Sequence, residues 1–541
     1  MSRMQIYDTT LRDGAQAENF NLSVDDKIRI TLKLDEFDVD FIEGGWPGSN
    51  PTAARYFEEI RTYHLKHAVV TAFGSTRHFQ NKPEDDPNLQ ALVAAKTSGI
   101  TIFGKTWDIH VEIALRIGLA DNLILIGDSL RYLRPQVRHL FYDAEHFFDG
   151  FKGNRDYALS TIDTAIDAGV DCVILCDTNG GTLPHEVSAI IEVLKSHLAA
   201  GGRTVDLGIH AHNDTECAVA NSLVAVAHGI RQVQGTINGF GERCGNANLT
   251  SIMPGLALKL GHDFAAAAHL GRLTEVSRFV NELANLPHNK YQPYVGSAAF
   301  AHKGGIHVSA VKRNPLTYEH IDPDRVGNTR RILISDQAGK SNVLHKARKF
   351  GLDLDSKDPM VTAILRELKD LENQGFQYEG AEASFELLMR RAMGTLPRFF
   401  ELKGFRVISQ KDNPSEHPRE EATIMLEVGG EMVHTAALGD GPVNALDNAL
   451  RKALTCFYPE LEGMWLNDYK VRVLASEHGT GARVRVLVES RDQKSQWGTV
   501  GVSHDILEAS WQALVDSISY KLLQEKSSPT EKGRTGRKPV C

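Results

Sequence analysis

The sequence predicts a (β/α)8 TIM barrel followed by a helical connector and a C-terminal α+β domain. Three observations lead to this class. Eight short apolar segments, each followed by helical sequence, fall within about 260 residues, the size of such a barrel. Strand signals then vanish from about 273 to 396. Beyond 398 they return, each time leading through a tight turn or loop into a helix. The expected boundaries are 1–272 for the barrel, 273–397 for the connector, 398–523 for the α+β domain and 524–541 for a disordered tail. A doubly wound open sheet has the same element order, because strand count alone does not show closure.

The strands are expected at 4–8, 41–44, 68–73, 100–104, 138–142, 171–176, 206–210 and 232–235. Ser23 followed by Asp25 and Asp26 caps a helix reaching about Phe37. Asn50-Pro51 opens the next, with a cap residue before a proline at the first helical position. The Gly/Asn/Pro-rich stretch 287–305 reads as a functional loop, and 360–371 and 383–393 have helical spacing. Residues 422–428 and 431–438 around Gly429-Gly430 form a hairpin that leads into a helix at 443–454. Ala445, Ala449 and Leu450 recur 64 residues on as Ala509, Ala513 and Leu514, which suggests two similar halves.

The 541 residues carry a formal charge of −9, and the only basic run is the tail from Lys526. With no basic excess on the body, nucleic acid is excluded as the main partner. No segment approaches the roughly 20 apolar residues of a membrane span, and no apolar block follows Met1-Ser2-Arg3 as in a secretory signal. Six cysteines without Cys-x-x-Cys spacing fit a reducing cytoplasm.

His210-Ala211-His212 at the end of strand seven puts two imidazoles on one side, because positions two apart on a strand share a face. At the C-terminal mouth of a barrel such a pair suits a divalent metal, and a pair of hydrogen-bonded strand-end histidines is the alternative. Arg12-Asp13, just past strand one, would add an oxygen ligand and a guanidinium for an anionic oxygen, or form a plain surface ion pair. After strand eight, the glycines of Gly239-Phe240-Gly241-Glu242-Arg243-Cys244-Gly245-Asn246 allow close backbone approach, and Asn246 offers a neutral oxygen.

Together with Asp8-Thr9-Thr10-Leu11-Arg12-Asp13-Gly14, these motifs resemble the metal-dependent acyl-CoA condensing enzymes, a family that includes 2-isopropylmalate, homocitrate and citramalate synthases. Ile42-Glu43-Gly44-Gly45-Trp46-Pro47-Gly48 and Phe141-Tyr142-Asp143-Ala144-Glu145-His146-Phe147-Phe148 are most similar to the citramalate branch. The resemblance covers about 5–521 and implies a cytoplasmic homodimeric acyltransferase acting on acetyl-CoA and pyruvate on the way to isoleucine. It implies a divalent metal (Mn²⁺, Mg²⁺ or Zn²⁺) on Asp13, His210 and His212, with Asn246 as a further ligand. Arg12 would stabilise charge on the keto-acid oxygen, Thr178 would bind the substrate carboxylate and Glu145 would stand beside the reacting carbons. His307 and Tyr318 would reach the cavity, in this family typically from the partner subunit.

Two positions depart from the family pattern. Ser309 stands where many relatives carry an acid two places after the histidine, and Asp143 where some carry a bulky apolar residue. The C-terminal part resembles the family's regulatory domain, with Gly441, Pro442, Gly479 and Gly481 in glycine loops suited to a carboxylate effector such as isoleucine. Three other readings compete: a 2-isopropylmalate synthase, a carbon–carbon lyase of hydroxymethylglutaryl-CoA lyase type, and a non-catalytic amino-acid sensor. The long extension at 398–523 argues against the lyase, and the intact Arg12-Asp13 and His210/His212 sets argue against the sensor.

Overall fold

A computed structural model describes residues 3–474 and 481–527 and divides the chain into two compact units. The first holds a closed barrel of eight parallel strands in chain order. These are β1 Gln5–Asp8, β2 Phe41–Gly45, β3 Val69–Ser75, β4 Gly99–Lys105, β5 His139–Glu145, β6 Cys172–Asp177, β7 Asp206–Ala211 and β8 Gln232–Gly235. β1 pairs with β2 and with β8, which settles closure.

Side chains alternate along each strand. Tyr7, Phe41, Phe141, Cys172, Ile174 and Cys176 pack as one cluster inside the barrel. The interleaved Ile6, Ile42, Tyr142, Val173 and Leu175 join the larger core shared with the helices. β5 runs to Glu145, beyond the expected end at 142, so Asp143 and Glu145 continue the inward row of Phe141. The helices begin where the caps predict. Ser23 and Asp26 form a reciprocal capping box on helix Val24–Asp35, and Asn50 accepts from the Ala53 N–H at the start of Pro51–Ile60.

The boundary expected at 272 lies elsewhere. Helix Leu273–Leu283 buries Leu273, Val276 and Val280 in the barrel's own core, and Thr274 Oγ1 donates to the Val326 carbonyl at 2.7 Å. The first unit therefore continues to Phe300 and takes back 320–330.

The second unit comprises 301–319 and the chain from Arg331. Its connector is not free of strands, since Ala301–His302 pairs in parallel with Arg331–Ile332. Helices Pro359–Asn373 and Glu382–Ala392 follow. Two three-stranded antiparallel sheets come next. Glu401–Gln410, Arg419–Val428 and Glu431–Gly439 lead into helix Pro442–Leu454. Trp465–Val473, Val484–Arg491 and Gln496–Ser503 lead into helix Ile506–Ser527. Gly429 and Gly430 both have positive φ (58° and 87°), the geometry of a two-residue hairpin turn that other residues resist. All four elements recur at a spacing of 64 or 65 residues, and the repeat includes a leading strand in each half that the sequence pattern did not reveal. The last helix occupies 524–527, the start of the expected tail; Gly479 and 528–541 lie outside the described residues. Among the described residues, no helix is long and apolar enough to cross a membrane.

Candidate active site

The strand ends and the loops after them converge on one cavity of about 480 Å³, lined by Arg12, Asp13, Glu145, Thr178, His210 and His212 among others. His210 is the penultimate residue of β7, and the His212 N–H donates to the Asp177 carbonyl at 3.1 Å. Asp13, His210 and His212 each offer a ligand atom within 4.8 Å of the others. Asn246 joins them through an antiparallel bridge to His212. Its loop folds back so tightly that a Cβ on Gly245 (φ 91°) would sit 2.1 Å from the Gly239 carbonyl. Asn246 Nδ2 donates to the Phe240 carbonyl, which leaves Oδ1 unused.

Three atoms test whether this set fits a cation. Asp13 Oδ2, His212 Nδ1 and Asn246 Oδ1 are buried without a hydrogen-bond partner, an arrangement that costs stability unless something else satisfies them. Burial and the neighbouring His210 push His212 down to about 3, so it is a neutral lone-pair donor at ordinary pH. Burial opposes charge on Asp13, but Arg12 and the two histidines outweigh it and hold the carboxyl below its usual range. One anion, two imidazoles and an amide oxygen form a coherent donor set for a divalent ion.

Arg12 is clamped from three sides. Its Nε donates to Glu43 Oε2 at 2.5 Å, Nη1 pairs with Asp13 Oδ1, and the guanidinium lies 3.8 Å from the centre of the Phe73 ring. Glu43 is held in turn by the Tyr7 hydroxyl at 2.8 Å. The fork has five N–H donors, so three remain for the cavity. Thr178 Oγ1 accepts from the His146 N–H at 2.9 Å, which leaves its own O–H free to donate. Its carbonyl accepts from Arg243, which forks onto Asp214. Glu145 pairs with Lys105.

Sequence reasoning assigned no part to Lys27, Glu43, Phe73, Phe103 or Gln234. Lys27, Phe73 and Phe103 line the cavity, and Glu43 and Gln234 hold Arg12 and His210. Spacing carried one signal: Asp143 and Glu145 lie two apart at a strand end, as His210 and His212 do.

His307 and Tyr318 belong to the second unit, where their rings meet at 4.2 Å. Gly441 is the N-cap and Pro442 the first residue of helix Pro442–Leu454, and the Gly481 carbonyl accepts from His504 Nδ1 at 3.0 Å.

Family comparisons agree with this geometry. The HMGL-like family matches residues 3–280, the homocitrate synthase post-HMGL domain-like family 294–375, and the LeuA allosteric (dimerisation) domain 379–522. A curated (R)-citramalate synthase of Geobacter sulfurreducens is 58% identical over 96% of this chain and 98% of its own length. One from Aquifex aeolicus is 51% identical over 97% and 98%. A probable 2-isopropylmalate synthase of Methanopyrus kandleri is 30% identical over 96% and 98%. The chain therefore belongs to the HMGL-like family and, within it, to the (R)-citramalate synthases.

Proposed function

We propose that this chain condenses acetyl-CoA with pyruvate and water to give (R)-citramalate and CoA. The observation that carries the reading is the Arg12 fork, held by Glu43 and Asp13 with spare donors beside the Asp13/His210/His212 set. A divalent metal on Asp13, His210 and His212, with Asn246 as a further ligand, would supply Lewis-acid polarisation of the keto acid. Mn²⁺, Mg²⁺ and Zn²⁺ all suit such donors.

The remaining chemistry falls to side chains. Thr178 donates its free O–H to the pyruvate carboxylate. Arg12 presents N–H groups to the keto oxygen as it becomes an alkoxide, a placement that lowers the barrier because the charge appears only then. Phe73 and Phe103 give the cavity an apolar wall that suits the short methyl of pyruvate. His307, paired with Tyr318 and supplied by the partner subunit of a homodimer, takes a proton from the acetyl methyl, and Glu145 positions that carbon. The carbanion bonds to the keto carbon, and the alkoxide gains a proton. Water then cleaves the thioester to carboxylate and CoA thiol.

The LeuA allosteric (dimerisation) domain supports the homodimer, and isoleucine bound there is the proposed feedback inhibitor, with Gly441, Pro442, Gly479 and Gly481 as its candidate residues. The free thiols of Cys172, Cys176, Cys217, Cys244 and Cys456 suit a cytoplasmic enzyme. The test is CoA release across a panel of 2-keto acids. Pyruvate should turn over best; a preference for 2-oxoisovalerate would make the chain a 2-isopropylmalate synthase instead.

A further inference from the structure

We propose that Gln234 and Asp143 are positioning residues for the metal ligand His210, acting as a two-link hydrogen-bond relay that decides which ring nitrogen carries the proton. The inference rests on the metal-site reading above.

To bind a cation, His210 must present an unprotonated Nε2, the nitrogen that faces Asp13 Oδ2 at 3.3 Å. A neutral imidazole holds one proton, so it must sit on Nδ1. Nδ1 lies 2.9 Å from Gln234 Oε1, and an amide oxygen only accepts.

An amide can rotate to present its NH₂ instead, and the far side of Gln234 prevents this. There Nε2 faces Asp143 Oδ1 at 3.4 Å and Gln232 Oε1 at 3.5 Å. Gln232 is itself fixed, because its Nε2 donates to Gln5 Oε1 at 3.2 Å. Turning Gln234 over would set its oxygen against these two oxygens and its NH₂ against Nδ1. Nδ1 would then accept, and the proton would move to Nε2 and block ligation.

The middle of the relay is dry. Gln232 and Gln234 are fully buried, while Asp143 is 4% exposed and His210 5% at the cavity wall, so no water stands in for Gln234 itself. Asp143 is also the third carboxyl around one guanidinium, with Glu43 and Asp13 already paired to Arg12. The geometry thus gives His210 an oriented ligand nitrogen.

The experiment measures Mn²⁺ dissociation constants of the full chain by chelator competition without substrate, together with the ¹⁵N shifts of the His210 ring. Partners of ligating histidines are worth about 10–100-fold in metal affinity. Gln234→Met, which keeps size but offers no acceptor, should weaken Mn²⁺ by that factor. Asp143→Leu should weaken it by about 10-fold and move the ring proton from Nδ1 to Nε2. Asp143→Asn keeps an acceptor at its link and should bind within about threefold of wild type, small beside the effect expected of the apolar variants. Wild-type affinity in a folded Gln234→Met or Asp143→Leu protein would overturn the relay, as would equal weakening in all three variants. If Gln234→Met does not fold, the ¹⁵N shifts of Asp143→Leu decide. His212→Ala separates the two levels: if it too binds Mn²⁺ normally, the metal-site reading has failed rather than the relay.

Discussion

Replacing Arg12 with lysine tests the proposed chemistry while keeping the charge. The guanidinium serves Glu43 through Nε and Asp13 through Nη1, and both carboxylates are buried, at 0% and 2% exposure. An ammonium is a point donor and cannot bridge both along a planar fork. One carboxylate is left without its cationic partner, a loss of about 3–5 kcal/mol if it stays ionised. Glu43 is the one that escapes by taking a proton, since burial already raises its carboxyl. The donors aimed at the developing alkoxide are lost as well, worth about 10²–10³ in kcat. CoA release at saturating pyruvate, read with a thiol reagent, should fall by at least 100-fold, with urea unfolding run alongside to register the buried carboxylate. A kcat within tenfold of wild type would refute both the clamp and the role in turnover.

Three further outcomes are expected. His212→Ala should lose divalent metal by elemental analysis while circular dichroism stays native, because a cavity-lining ligand adds little to core packing; full activity in a metal-free sample would sink the assignment. Burial lowers the Lys27 ammonium from 10.5 to about 8, and its recorded partner is the Gly44 carbonyl at 3.3 Å. Between those two values the unfolded chain holds the extra proton, so wild-type stability rises with pH across that window and the full penalty, about 3 kcal/mol, applies below about 8. Lys27→Met should therefore stabilise the barrel at pH 7 by about 2 kcal/mol once a hydrogen bond of about 1 kcal/mol is deducted, and flatten the rise, which urea midpoints at pH 7 and 9.5 would register. Mixing Arg12→Ala with His307→Ala homodimers should restore activity to about a quarter of all sites if His307 serves the partner's barrel; activity that stays at the mutant level would show that each chain completes its own site.

How much could be read beforehand depended on whether a signal was apolar or polar. Seven of the barrel strands were placed to within about two residues because their apolar patterns end where the strands do. β5 was cut short at 142 because Asp143 and Glu145 broke the apolar pattern, although they are inward strand residues. The leading strands Glu401–Gln410 and Trp465–Val473 went unseen for a related reason. Each pairs on one side only, has mixed polar and exposed faces, and carries a register irregularity. The boundary at 272 followed the last strand, whereas Val276 and Val280 show that the core continues. Within the cavity, His210 and His212 announced themselves by spacing and Arg12-Asp13 by its place after β1. Gln234 and Lys27 did not, because a glutamine in a strand and a lysine in a helix are ordinary until their neighbours are known.

The alternation along each barrel strand divides hereditary risk as well as packing. Neighbouring positions such as Tyr142 and Asp143 answer to different demands, one to the helices outside and the other to the cavity within. A lineage can change the cavity wall at inward positions such as Phe73 and Phe103 without renegotiating the seam between sheet and helices. The reverse holds too: drift at Ile42 or Val173 spends folding margin and leaves the reaction untouched. New substrates and lost stability are thus written on alternate letters of the same strands.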